Sequence, residues 1–307
     1  MAIPHFGADR RLMLVVNPAA GRRMAERNLA AVCRILLQQG WIVSTFVTGA
    51  RGEAARLVQQ HAAQYDRIVC MGGDGTLNET VTGLLQAGLD IPVGFIPCGS
   101  TNDFASVHGL SADMKTAAAA AAGDSISRID VASFNESYFT FHAAFGWLAN
   151  VVNTTPQDAK NLLGYVTYVL HGIADISSLK AVTARFTADG RQYEGDYIYG
   201  GVLSTLSLGG NIVSFPRDIV STNDGMFEVF LVRMPKDLLE LGELLHLLGT
   251  GVLQSRYTEF FRVSEMQVEA EENMNWSLDG EAYRGEGNGG SIKVLPRRIQ
   301  LVGAVKQ

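Results

Sequence analysis

The chain has 307 residues, 47% apolar and 18% charged, a globular balance with room for two domains or one large one. The formal net charge is −6 and the six lysines form no basic run, which argues against nucleic acid as the main partner and against purely electrostatic adsorption to acidic membranes. Cys33, Cys70 and Cys98 are widely spaced and odd in number, so they point to a reducing compartment with neither a disulfide framework nor a zinc knuckle.

Residues 1–11 lack the apolar core of a signal peptide. The leucine-rich stretch 238–253 is interrupted by Glu240, Glu243, His246 and glycines, so no transmembrane segment is expected. The reading is a cytoplasmic protein, with peripheral attachment to the inner membrane face and homodimerisation left open. From residue 12 onward, short apolar runs alternate with helical segments. A strand over 12–16 precedes a helix with Leu29, Val32, Cys33 and Leu36 on one face. A strand over 41–47, a helix over 53–63, a strand over 68–71, a further helix and a strand over 93–96 follow. Strands alternating with helices of this length imply a doubly wound α/β domain, a parallel sheet with helices on its faces. The alanine run 117–122 reads as a helix that packs closely against a neighbour.

After Asp130 the pattern changes. Residues 134–138 look like a turn between strands, and the runs 182–186, 197–203, 227–232, 266–269 and 291–295 are bounded by Gly, Asn and Asp. These mark an antiparallel β domain, with helical pieces near 160–175 and 236–248. The expected domains are 1–130 and 131–296, with a last strand in 297–307 returning to the first. A formal GxGxxG at Gly285, Gly287 and Gly290 precedes a strand rather than opening a helix, so it reads as a glycine-rich hairpin.

Three turn-forming loops each follow a strand of the first domain: Asn17-Pro18-Ala19-Ala20-Gly21, the run Gly72 to Glu79, and Pro97 to Asp103. In a parallel sheet these strand ends share the edge where open α/β folds bind ligands. Gly72, Gly73 and Gly75 let the backbone turn and approach a ligand without Cβ obstruction. Thr76-Leu77-Asn78-Glu79 has capping-box spacing, with Thr76 expected as N-cap and Glu79 reaching back. Free amides at such a helix start attract phosphate, and Asp74 beside phosphate calls for a divalent cation between them, hence Mg²⁺-nucleotide chemistry.

Together the loops resemble the catalytic domain shared by diacylglycerol kinases, sphingosine kinases and bacterial lipid kinases. Asn17-Pro18 to Gly21 matches an NPxxG segment, Gly72 to Glu79 a GGDGTxNE signature, and Gly99 to Ala105 a G[TS]xNDFA segment. Asn223-Asp224-Gly225-Met226-Phe227 resembles a DG[LM]F element, and Leu278-Asp279-Gly280-Glu281 an LDGE element. Ser106 stands where the family often has arginine. The resemblance implies an NAD-kinase/diacylglycerol-kinase-like α/β domain followed by a β-sandwich. It implies an ATP site lined by Asn17, Pro18, Ala19, Ala20, Gly21, Thr48, Gly72, Gly73, Asp74, Gly75, Thr76, Leu77, Asn78 and Ser100. It also implies a Mg²⁺ held by the Asp224 side chain and the carbonyls of Ser221 and Met226, with Asp130 at a supporting acidic position.

Asp279 and Glu281 are two apart, so in an extended segment they share a face. One carboxylate can take the hydroxyl proton while the other organises water or Mg²⁺. Asp279 is the favoured base, with Glu281 assisting and Asp74 the third catalytic candidate. The expected reaction is transfer of the γ-phosphoryl of ATP to a lipid hydroxyl at a membrane surface, diacylglycerol to phosphatidic acid, a step of phospholipid biosynthesis. The helix 238–248 and the segment 162–173, with Tyr165 and Tyr168, are candidates for acyl-chain contact or for ordinary core. The alternatives are an NAD kinase-like enzyme and a catalytically silent nucleotide-binding lipid sensor.

Overall fold

The computed structural model describes residues 10–146, 179–205, 207–208, 213–214, 220–283 and 288–303. The expected helix near 160–175, Tyr165, Tyr168, Gly285 and Gly287 lie outside the described residues. The chain divides into two compact units, Met1–Val131 with Pro296–Gln307, and Ala132–Leu295.

The first unit alternates β1 (Arg11–Val16), α1 (Ala20–Gln38), β2 (Ile42–Val47), α2 (Glu53–His61), β3 (Arg67–Gly72), α3 (Asp74–Gln86) and β4 (Val93–Pro97). The helices α4 (Asp103–Val107) and α5 (Met114–Ala122) follow, then β5 (Ile126–Phe134), which runs into the second unit. β1 lies between β2 and β3, and β3 pairs with β4, all in parallel. The late strand β17 (Gly289–Val302) closes this order, its Leu301 and Val302 pairing in parallel with Val93 and Gly94 of β4. β1 and β3 read as unbroken apolar runs because both their faces are buried. Leu12, Leu14 and Val16 join α1 and the alanines of α5 in one core, while Met13 and Val15 are buried on the opposite face. The alanine run has a specific use: a Cβ on Gly94 of β4 would lie 2.6 Å from the Ala121 Cβ, so helix and strand approach as closely as small residues allow.

The second unit is antiparallel. Its strands are β6 (Ser137–Phe139), β7 (His142–Phe145), β8 (Val182–Ala188), β9 (Arg191–Leu203), β10 (Ser207–Leu208), β11 (Val213–Ser214), β12 (Phe227–Arg233), β13 (Thr258–Val263), β14 (Glu265–Ala270), β15 (Ser277–Leu278) and β16 (Glu281–Ala282). β9 pairs with β7, β8 and β12, β12 with β13, and β14 with β8 and β17. Side chains alternate along β12: Phe227, Val229 and Leu231 enter one core, with Phe145, Phe186 and Trp276. Phe230 and Val232 enter another, with Leu241, Leu244, Leu245 and Leu248 of the helix α6 (Leu238–Gly249). Among the described residues no helix is long and apolar enough to cross a membrane.

His108, just past α4, is buried with its ring centroid 4.3 Å from that of Phe104. Burial pushes its pKa down to about 3 from an ordinary 6.5. The folded chain thus holds a neutral imidazole that the unfolded chain protonates below pH 6.5, so this contribution to stability is whole above 6.5 and is lost as pH falls toward 3. Replacing His108→Gln should flatten the acid side of a Tm-against-pH profile relative to the parent, whatever it costs at neutral pH. An unchanged acid slope would mean that another group governs it.

Candidate functional site

Three strand ends of the parallel sheet are fastened into one block. The Asn17 amide donates to Met71 O (3.0 Å), extending the β1–β3 pairing past Val16, and Cys98 N–H donates to Gly72 O (2.7 Å), extending β3–β4. The side-chain Nδ2 of Asn17 donates to Thr76 Oγ1 (3.1 Å), while its Oδ1 accepts from Ala19 N–H (3.1 Å). Thr48, at the end of β2, is tied back to Val16 O by its amide (2.8 Å) and hydroxyl (3.3 Å). Glycine is required at two contacts. Gly21 has φ +59 and a Cβ there would fall 2.2 Å from Cys98 O; Gly73 and Gly99 face each other so closely that a Cβ on Gly99 would lie 2.9 Å from Gly73 Cα.

Asp74 does not point away from its own protein. Its Oδ2 accepts from Asp103 N–H (3.2 Å) and Thr101 Oγ1 (3.3 Å), and its Oδ1 from Phe104 N–H (3.2 Å). The carboxylate of the second loop therefore caps α4 in the third. Asn102, at φ +53, accepts from Gly99 N–H (2.7 Å) and tightens the same turn. Arg22 and Arg23 continue the left-handed conformation of Gly21, at φ +55 and +69, an unfavourable backbone for arginine at the rim of this loop. Ser100 is exposed, Asn78 half-buried, and Leu77 part of the buried interior.

The expected capping box is absent. α3 starts at Asp74 with Gly73 as N-cap and no side-chain cap, so Thr76 lies inside the first turn, its oxygen taken by Asn17. Glu79 turns to a different helix, accepting from Gly52 N–H (2.7 Å) and Ala54 N–H (3.2 Å) at the start of α2. The physical reason is that α2 packs alongside α3 and supplies orphan amides with no side-chain cap of their own.

In the second unit, Asp279 and Gly280 are the two central residues of the hairpin joining β15 to β16, both left-handed at φ +47 and +83. The expectation that Asp279 and Glu281 share a face of an extended segment fails, because this turn stands between them. Asp279 is buried, 6% exposed, whereas Glu281 is exposed. The Asp279 carboxylate accepts from Thr140 N–H (2.7 Å), Thr140 Oγ1 (2.8 Å), Phe141 N–H (3.1 Å) and His142 N–H (3.0 Å). Those four donors match the four lone-pair sites of a carboxylate. Trp276, wedged between Phe134 (4.8 Å between centroids) and Phe145 (4.9 Å), anchors the hairpin.

The turn expected to hold a metal is shaped by Asp224, whose Oδ1 accepts from Met226 N–H (3.1 Å) across Gly225 at φ +80. A carboxylate with the Ser221 and Met226 carbonyls is a hard-oxygen set suited to Mg²⁺, so the residue types fit. The other Asp224 oxygen, however, is bound by the Arg262 guanidinium. Arg262 also donates from Nε to Glu228 Oε1 (3.1 Å), and burial pushes the Glu228 carboxyl up to about 7 against the pull of that arginine. Asp130 is buried in the first unit and accepts from Arg297 N–H (2.6 Å), holding β5 to β17. Among the described residues no three His, Cys, Asp or Glu side chains converge as a metal cluster.

The leucines of α6 divide by face. Leu241, Leu244, Leu245 and Leu248 are core and unavailable to an acyl chain, while Leu239 is 84% exposed and Leu238 about half.

A parallel sheet with fastened, glycine-rich strand ends and an antiparallel second unit is the architecture of the diacylglycerol-kinase class, and comparison with known proteins agrees. The diacylglycerol kinase catalytic domain profile matches residues 11–134, and the YegS C-terminal NAD kinase beta sandwich-like domain profile matches residues 144–303. The chain is 30% identical to a diacylglycerol kinase of Bacillus subtilis over 89% of its own length and 90% of that protein's. It is 31% identical to a Pseudomonas aeruginosa protein named "Probable lipid kinase YegS-like" over 95% and 94% of the two chains. In fold it is similar to a diacylglycerol kinase crystal structure from Bacillus anthracis, with a TM-score of 0.72 at 20% identity, covering 96% of this chain and 97% of that one. The chain belongs to the diacylglycerol kinase and YegS-like family of lipid kinases.

Sequence reasoning missed the partners rather than the motifs. Thr140 carries no motif at all, and Arg262 lies 38 residues from Asp224. If Glu79 is the cap of α2, Glu79→Ala should cost about 0.5–2 kcal/mol in urea unfolding, as lost helix caps do. A neutral substitution would reduce the contact to a surface coincidence.

Proposed function

We propose that the protein transfers the γ-phosphoryl group of ATP to a lipid hydroxyl, with diacylglycerol the first substrate to test. The observation that carries this reading is the start of α3. Gly73 leaves the first amides without a side-chain cap, at a helix end where phosphate is the natural complement. Asn17 to Gly21, Thr48, Gly72 to Asn78 and Ser100 would hold the nucleotide. Asp74 would serve by keeping the loops in register, since three donors of its own chain already occupy it. Mg²⁺ would be held at Asp224 with the Ser221 and Met226 carbonyls, supplying positive charge. The names of the relatives from Bacillus subtilis and Pseudomonas aeruginosa support a lipid acceptor, and the exposed Leu238 and Leu239 suit contact with an acyl chain at a membrane surface.

Proton removal from the acceptor falls to Glu281 rather than Asp279. A base needs a lone pair for the incoming proton, and the four donors around Asp279 hold its charge and fill its acceptor sites. Glu281 lies just beyond the turn and is exposed. Asp279 then acts as a positioning residue, fixing the hairpin that presents Glu281. Phosphoryl transfer passes through a loose transition state, so the rest of catalysis is placement and charge stabilisation.

Two measurements test this. With Mg·ATP in calorimetry, Gly73→Val should weaken nucleotide binding by about tenfold or more, the equivalent of one lost charge-assisted hydrogen bond. Unchanged affinity in a folded variant would remove the nucleotide from this loop. In a mixed-micelle diacylglycerol assay, Glu281→Gln should keep its Tm and ATP affinity while kcat falls by about 10²–10⁴-fold. Asp279→Asn should lower Tm, because its amide group must face backbone donors. Near-normal kcat in Glu281→Gln beside a folded but dead Asp279→Asn would return the base role to Asp279.

A further inference from the structure

The Asp224 turn contains more charge than its pairing satisfies. Arg262 on β13 lies directly across from Glu228 on β12 and binds two carboxylates at once, Glu228 through Nε (3.1 Å) and Asp224 through a terminal nitrogen. Glu228 faces the side of β12 that carries Phe230 and Val232 and is 0% exposed. Its second oxygen, Oε2, is buried without a hydrogen-bond partner. One guanidinium shared between two carboxyl groups leaves a buried oxygen of Glu228 unsatisfied, an arrangement that costs free energy until another donor arrives. Arg262 and Asp224 are each about one-third exposed, so their contact is open to an ion from solvent.

We infer that Arg262 is a tethered cation that a divalent metal displaces from Asp224, with Glu228 as the acceptor onto which the guanidinium withdraws. Withdrawal gives Glu228 Oε2 a donor, and a guanidinium forks onto both oxygens of one carboxylate. The Asp224 oxygen that Arg262 vacates would then hold the metal. Asp224 and Glu228 then each have their own cation. Arg262 and Glu228 thus set the metal affinity of the turn from opposite sides: Arg262 competes with the ion, and Glu228 draws the competitor away. This rests on the reading of Asp224 as the metal ligand.

The test is a titration of the nucleotide-free full chain with Mn²⁺ alone, followed by electron paramagnetic resonance, with thermal melts to establish folding. Arg262→Met should tighten Mn²⁺ binding by about tenfold, the effect expected when one competing ion pair is removed. Glu228→Gln should weaken it several-fold, because Arg262 then stays on Asp224. Asp224→Asn should abolish the site, and unchanged binding in that variant would overturn the metal reading itself. If Asp224→Asn abolishes binding while Arg262→Met and Glu228→Gln leave the affinity at the parent value, the metal reading stands and the displacement inference is wrong. Should Arg262→Met not fold, the double variant Arg262→Met/Glu228→Gln, which leaves no buried charge unpaired, carries the comparison. It should bind Mn²⁺ more tightly than Glu228→Gln alone, and equal affinities would overturn the inference.

Discussion

The arrangement of the first unit depends on one carboxylate. Asp74 stands at the start of α3 and holds the third loop by two backbone amides and a hydroxyl, so that loop cannot move without breaking bonds to a charged group. Such bonds are worth about 1.5–3 kcal/mol each, two or three times an ordinary hydrogen bond. They act together with contacts that only glycine permits, Gly21 on Cys98 and Gly73 on Gly99. The strand ends therefore form a preorganised edge.

The second unit uses the same device. A buried carboxylate survives only where donors replace the water it has lost, and Asp279 gathers four of them from the segment 140–142. That demand fixes the hairpin and separates the surroundings of two acidic residues that stand two apart in the motif, Asp279 buried and Glu281 exposed. A second buried carboxylate of the unit, Glu228, is left half-satisfied. Breaking such an ion pair costs more than forming it yields.

Much of the architecture was legible in the chain. The alternation of apolar runs and amphipathic segments in 12–96 gave the parallel sheet because strands buried on both faces must be continuously apolar. The three loops were recognisable because turns and close approaches restrict residue type locally, to Gly, Asn, Asp and Ser. The polar partners were less visible. Thr76 and Glu79 have capping-box spacing yet cap nothing on their own helix, since Asn17 claims one and the α2 amides claim the other. Asp279 and Glu281 share a face only in an extended strand, and the left-handed pair Asp279-Gly280 turns the chain between them.

By itself, then, the sequence determined the class of fold, the order of the elements over 12–96 and the places there where the backbone must turn. Each of these follows from periodicity and local steric preference. Tertiary structure alone decided what the charged side chains do: Asp74 caps a helix 29 residues away, Glu79 caps another 25 residues back, and Asp279 finds its donors 137 to 139 residues earlier. A carboxylate takes whichever donors packing brings within about 3 Å, and no local pattern encodes which distant segment that will be.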